Sequence, residues 1–184
     1  MSDGSERQLI EQLRAGQRDA LERMIAENQQ MVSRLVARLI GWSDDREDLV
    51  QEVFLLALRG AKKFRGDSKL STWLTRITIN VCRSHQRTRL IRKTFWKRLI
   101  AGQNEEQLSE VDASTSTRQQ DRIRQVTRAV QRLKSTYREV VVLHYLEGMP
   151  AEDVQHVLGI SRNMVEVRLH RARKMLEDML KEST

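Results

Sequence analysis

Residues 70–87, LSTWLTRITINVCRSHQR, carry two stripes of opposite character. At 100° per residue, Leu70, Leu74, Ile77 and Val81 share one side, an apolar stripe suited to burial. Arg76, Asn80, Arg83 and Arg87 fall within about 60° of one another on another face. The stretch is therefore a helix with a packing side and a strip of three guanidinium groups and one amide. Arginine forks onto phosphate oxygens and stacks on bases, and asparagine pairs with a base edge, so the strip suits a nucleic-acid strand. Positive charge continues through Arg89, Arg92, Lys93, Lys97 and Arg98, with no acid from position 83 to 98. Charge runs are often only solvated, but one that prolongs a defined helical stripe favours contact with a DNA backbone.

Upstream of this helix lies the loop from Lys63 to Leu70, in which Gly66 permits a tight backbone path and Ser68 or Ser71 is placed to cap the helix. With Trp73 at its border, the loop offers an aromatic ring and polar groups beside a cationic strip, the parts needed to hold an extruded base. Phe64 and Trp73 would serve equally as core residues. Further upstream, a helix from about Asp45 places Leu49, Val53 and Leu56 on one side and Asp48, Gln51, Glu52 and Arg59 on another. Leu55 interrupts the polar side. A leucine ringed by acids and amides has the make-up of an interface anchor with a polar rim, or of a solvated face with one stray apolar residue.

Working outward, Gly16, Gly41, Gly60 and Gly148 each follow an apolar-periodic stretch, as helix C-termini require. The helices expected span about 5–15, 19–40, 45–61, 70–93, 118–134, 137–147, 150–157 and 162–180. Alternating strand patterns are absent, and the β-branched run Val140, Val141, Val142 keeps helical spacing, so the fold class expected is all-α. Residues 99–117 change character: Glu105, Glu106, Glu110 and Asp112 occur without Lys or Arg, followed by a Ser/Thr run. This flexible linker, about 60 Å long if extended, would join two small helical domains. The expected boundaries are 1–96, 97–117 and 118–184.

In the second half, Pro150 suits a first helical position, Glu152 and Asp153 favour a helix start, and Leu158-Gly159-Ile160 ends that helix. Ser161 then caps another, whose buried stripe is Val165, Leu169, Ala172 and Leu176. A helix, a short glycine turn and a second helix form a helix-turn-helix, the second helix entering a major groove. Its outer face carries Asn163, Val167, His170 and Lys174, flanked by Arg162, Glu166 and Arg171.

The chain has 184 residues, with 33 Lys and Arg against 25 Asp and Glu, a net charge of +8 that favours a polyanionic partner. Cys82 is the single cysteine, so no intrachain disulfide forms, and a reducing cytoplasm is the compartment expected. No apolar run approaches the roughly 20 residues that span a bilayer, so no membrane insertion is expected. Cys82 and His85 are two potential ligands without a second pair, so neither a metal nor a cofactor nor an enzymatic role is expected.

These residues resemble the extracytoplasmic-function group of the sigma-70 family. Asp48-Leu-Val-Gln-Glu-Val-Phe54 looks like its region 2 polymerase-docking helix. Phe64-Arg-Gly-Asp-Ser68, Thr72-Trp-Leu74, Arg76-Ile77 and Asn80 look like its promoter-melting segment, and Leu133 to Arg173 is similar to its region 4. The resemblance spans about residues 7–180. It implies a transcription-initiation factor whose Asp48, Gln51, Glu52 and Leu55 bind the clamp of the largest subunit of core RNA polymerase. It implies further that Phe64, Arg65, Gly66, Asp67 and Ser68 cup a flipped base of the minus-ten element, with Trp73, Arg76, Asn80, Arg83 and Arg87 along the strand. Ser161, Arg162, Asn163, Glu166, Val167, Arg168, His170, Arg171 and Lys174 would meet the minus-thirty-five element, while neighbouring helices meet the flap of the second-largest subunit. An anti-sigma protein is the regulator expected, and the linker acids would thread the RNA path.

The chain departs from the family pattern at Glu166-Val167, at Met149-Pro150 and at Thr75, where a tyrosine is common. With few aromatics to offset unpairing, dependence on near-consensus promoters is expected. The rival reading, a helix-turn-helix regulator binding duplex DNA unaided, leaves the Asp48–Phe54 helix and the loop without a role.

Overall fold

The computed structural model describes residues 3–99 and 118–181, and the described residues are helical, with no strand among them. The linker acids lie outside the described residues, and the side chains of Lys93, Lys97 and Arg98 outside the described side chains. The helices are α1 (Asp3–Arg14), α2 (Arg18–Ile40), α3 (Arg46–Ala61), α4 (Leu70–Leu99), α5 (Arg118–Arg132), α6 (Ser135–Val141), α7 (Ala151–Leu158) and α8 (Arg162–Lys181). A wide π-helical turn over Val142–Leu146 continues α6, with Glu147 N–H donating to Val142 O at 2.9 Å.

α1 to α4 pack around Leu9 and Leu13 of α1, Val32, Leu35, Val36 and Leu39 of α2, Val53 and Ala57 of α3, and Leu74 and Ile79 of α4. α5 to α8 pack around Leu133, the run Val140 to Leu143, Val154, Val157, Val165 and Leu169. The two sets of buried side chains form one continuous cluster, and α7 packs directly on α4.

Several expectations of local structure are met. Gly16, Gly41 and Gly148 have φ of +74°, +80° and +69°, and Gly159 closes α7 in the left-handed region at φ +66°. The Ser161 hydroxyl accepts from Met164 N–H at 3.2 Å and so caps α8.

Others need correction. Gly60 does not follow α3 but lies within it, where a Cβ would meet the Trp73 ring at 3.1 Å; it is a close-approach glycine, not a cap. Pro150 is the N-cap of α7 and not its first helical residue, its ψ of 151° lying outside the helical range. The first N–H of α4, on Leu70, donates to a carboxylate oxygen of Glu6 in α1 rather than to Ser68 or Ser71. α4 runs on to Leu99 because nothing in residues 88–98 breaks a helix. In α3 the buried arc takes Phe54 and Ala57 and leaves Leu56 37% exposed, because Leu56 sits about 20° outside Leu49 at the edge of that arc. On α4, Ile77 is only half-buried, while Thr75, Thr78 and Ile79 are buried.

Candidate nucleic-acid interface

The working face of α4 is set by how its other side is satisfied. Thr75 and Thr78 face the bundle, and each hydroxyl donates to the carbonyl one turn back, Ser71 O and Leu74 O, at 2.8 Å. Two polar side chains are thereby buried without an orphaned hydroxyl. The departure at Thr75 thus falls at a core position, away from the strip. Arg76, Asn80 and Arg87 are exposed on the opposite side. Arg83 is half-buried and bound: its Nε and Nη2 donate to the two carboxylate oxygens of Glu139 in α6 at 2.8 and 2.7 Å. This fork holds the guanidinium pKa above its usual value, against the opposing effect of partial burial.

The loop before α4 forms one wall of an open depression of about 410 Å³ that Gly60, Lys63, Arg65, Asp67 and Ser68 border with Phe64, Trp73 and Arg76. That volume lies at the lower end of small-molecule clefts, about 300–1,000 Å³. The Phe64 and Trp73 rings stack with centroids 4.6 Å apart and planes 24° from parallel. Phe64 is buried, so the two readings of this pair merge: it is part of the core and a wall of the depression. Arg14 Nε donates to Phe64 O at 2.7 Å and ties the loop to α1. Gly66, at φ +81°, turns the loop in a backbone region that side chains disfavour. Arg76 belongs to both the depression and the strip, so the two are continuous.

On α3, Asp48, Gln51, Glu52 and Leu55 are all exposed, as the stripe predicts. Leu55 is 53% exposed and Leu58 40%, so with Leu56 the apolar area is larger than one anchor. Three exposed leucines on one helix exceed the isolated apolar residue usual on a free surface.

On α8, Ser161, Arg162, Asn163, Glu166, His170, Arg171 and Lys174 are exposed, and Val167 and Arg168 are half-buried. Arg162 lies between two acids, donating to Glu152 at 2.9 Å and Glu166 at 3.2 Å. These exposed pairs orient the side chain more than they stabilise the domain.

Sequence periodicity missed the contacts between the halves. Glu147 accepts from Arg38 Nη1 at 2.6 Å and Arg34 Nη2 at 3.1 Å. Gln131 Nε2 donates to Arg38 O and Arg138 Nη1 to Leu39 O, each at 2.7 Å, so donors from α5 and α6 satisfy carbonyls in the last turn of α2. The one available signal was Glu139, an acid set against a run of valines and buried to 4% exposure, which demands a cationic partner.

The model of Sigma-70 region 2 matches residues 24–90, and that of Sigma-70, region 4 matches residues 123–176. The RNA polymerase sigma-H factor of Pseudomonas aeruginosa is 27% identical over 185 residues, covering 98% of this chain and 96% of that protein. The ECF RNA polymerase sigma-E factor of Escherichia coli K12 is 28% identical over 175 residues, covering 92% of this chain and 91% of that protein. Among solved structures, CnrH in complex with the cytosolic domain of CnrY superposes with a TM-score of 0.68 at 24% identity, covering 97% of this chain and 99% of CnrH. The sigma factor RpoE of Bartonella quintana, bound to the anti-sigma factor NepR, gives 0.66 at 22% identity, covering 87% of this chain and 96% of that one. These two show a shared fold. The α4 strip, its depression and the exposed face of α3 lie within the region 2 match, and α7 with most of α8 lies within the region 4 match. The chain belongs to the sigma-70 family: it is an RNA polymerase sigma factor.

Proposed function

We propose that this sigma factor brings core RNA polymerase to promoters through three surfaces. Asp48, Gln51, Glu52 and Leu55 on α3 take the clamp of the largest subunit, with Leu55 as the apolar anchor. The depression at Phe64–Ser68 receives a base extruded from the minus-ten element, and Trp73, Arg76, Asn80, Arg83 and Arg87 follow the unpaired strand. The face of α8 from Ser161 to Lys174 reads the minus-thirty-five element in the major groove, while neighbouring helices of that domain meet the flap. Residues 1–96 and 118–184 act as the two working domains and 97–117 as their linker. The protein works in the cytoplasm, by binding and positioning rather than by catalysis, under an anti-sigma protein. Among the described residues no helix is long and apolar enough to cross a membrane, and no cluster of potential metal ligands occurs.

The observation that carries this reading is Arg76, which stands in both the strip and the wall of the stacked-ring depression. A flipped base in the depression leaves its phosphates beside the strip. Each such contact is worth about 1–3 kcal/mol, so alanine at Arg76, Asn80 and Arg83 together lowers promoter opening by about two orders of magnitude or more. Permanganate footprinting of reconstituted holoenzyme reads the opening. Unaltered footprints with the triple variant bound to core enzyme would overturn the reading. A gel shift of the free chain keeps the rival in view: tight specific duplex binding without core enzyme would favour a stand-alone regulator.

A further inference from the structure

Arg83 is the one member of the strip whose fork is taken by the other half of the chain. Both of its donors point at Glu139 oxygens, and Glu139 is almost fully buried. Around this pair, beside the continuous apolar cluster, further charged and polar groups join the halves. Glu147 is gripped by Arg34 and Arg38, whose Nη1 also donates to Leu146 O at 2.6 Å. Gln131 and Arg138 cover carbonyls at the end of α2. Gly41, beyond that end, lacks the Cβ that would come within 2.9 Å of Gln131 Oε1. Polar contacts of this kind hold a geometry yet exchange with water or phosphate at small net cost, so they set which arrangement the apolar contact between the halves adopts.

A carboxylate pair on an arginine fork is the stereochemical equivalent of a phosphate diester with two free oxygens. Glu139 therefore occupies the place that a strand phosphate would take, and Arg83 cannot serve both. α7 packs on α4, while Arg76, Asn80 and Arg87 stay exposed, so the masking falls on Arg83.

We propose that Glu139 and Glu147 form an acidic clasp that closes the second domain over α4, holding Arg83 away from DNA until the domains are parted. This rests on the reading of α4 as the strand-binding helix. The clasp acts within one molecule: binding of strand and closure of the domains exclude each other, so each weakens the other by the same factor.

The test uses the full chain. Glu139→Gln combined with Glu147→Gln keeps the side-chain shapes and removes the charges. The variant is expected to show a larger radius of gyration in small-angle scattering. It is also expected to bind a fluorescent twelve-nucleotide single strand about fivefold or more tightly. Adding Arg83→Ala should abolish that gain. Glu177→Gln with Asp178→Asn makes the same charge change at exposed positions of α8 and should give little gain. Should the buried Glu139→Gln change impair folding, seen by circular dichroism, Arg34→Ala with Arg38→Ala opens the Glu147 joint from the other side and is read in the same two ways. An unchanged radius in the clasp variants overturns the clasp. An enlarged radius with unchanged strand affinity overturns the masking of Arg83. Failure of the strand-binding reading shows itself separately, as unimpaired promoter opening by the Arg76, Asn80 and Arg83 variant of the holoenzyme.

Discussion

Cys82 illustrates how far a single side chain is governed by its surroundings. It is 2% exposed, and burial pushes its thiol up to about 12, with the charges of Glu139 and Glu52 adding to the effect. At pH 8 about one thiol in ten thousand is then ionised, and the thiolate is the reactive form. Iodoacetamide should leave the native chain unmodified while it rapidly labels the denatured one, a contrast that mass spectrometry of the intact protein reads directly. Fast native labelling would contradict this burial. The linked effect on stability has a definite sign. Below the ordinary thiol value of 9.0 both states are protonated and the group is silent. As pH rises from there towards about 12, the unfolded chain loses the proton that the folded chain keeps, so folding is progressively disfavoured. Asp45 moves the other way: hydrogen bonds first from His85 and then from Ser43 hold its carboxyl below the usual range. Its partner His85 reaches across from α4 at 2.9 Å and ties that helix to the start of α3.

At the level of the element, α3 gives the clearest expectation. Leu55 stands half in water, so covering the rest yields about 0.8–1.5 kcal/mol, and an aspartate there adds the cost of burying a charge. Leu55→Asp should therefore weaken binding to core RNA polymerase by about 10- to 100-fold or more, measured by fluorescence titration with labelled core enzyme, while the melting temperature changes little. A drop in melting temperature with unchanged core affinity would assign Leu55 to packing instead. The helical character of α3, α4 and α8 and their polar faces were legible in the sequence because each follows from residues three and four apart. Arg76, Asn80 and Arg87 on α4 and Asn163, His170 and Lys174 on α8 are exposed where periodicity put them, while Arg83 and Val167 are half-buried. What periodicity could not provide was anything depending on a residue of another helix. The cap of α4 by Glu6, the room that Gly60 leaves for Trp73 and the hold of Glu139 on Arg83 are of this kind. Leu56 failed for a different reason: a helix wheel has no sharp edge, and a residue about 20° past the stripe goes inward or outward according to its neighbours.

For the molecule as a whole, the net charge of +8 is a poor guide to how many cations meet DNA, since several are engaged internally. Binding of a single strand falls with salt in proportion to the phosphates neutralised, with a slope of about −0.7 for each. Freeing Arg83 should accordingly steepen that slope by about 0.7 between the native chain and the Glu139→Gln, Glu147→Gln variant, in anisotropy titrations across a salt series. Identical slopes would mean that no additional cation reaches the strand. The helix that offers Leu55 outward carries, five residues on, the glycine that borders the depression. At 1.5 Å per residue the two lie about 8 Å apart along one rigid rod. Whatever seats itself on the leucine end thereby sets the height and bearing of the cup. An extra residue spliced between them would swing the cup by about 100° relative to the leucine end, leaving each surface intact but out of alignment with the other.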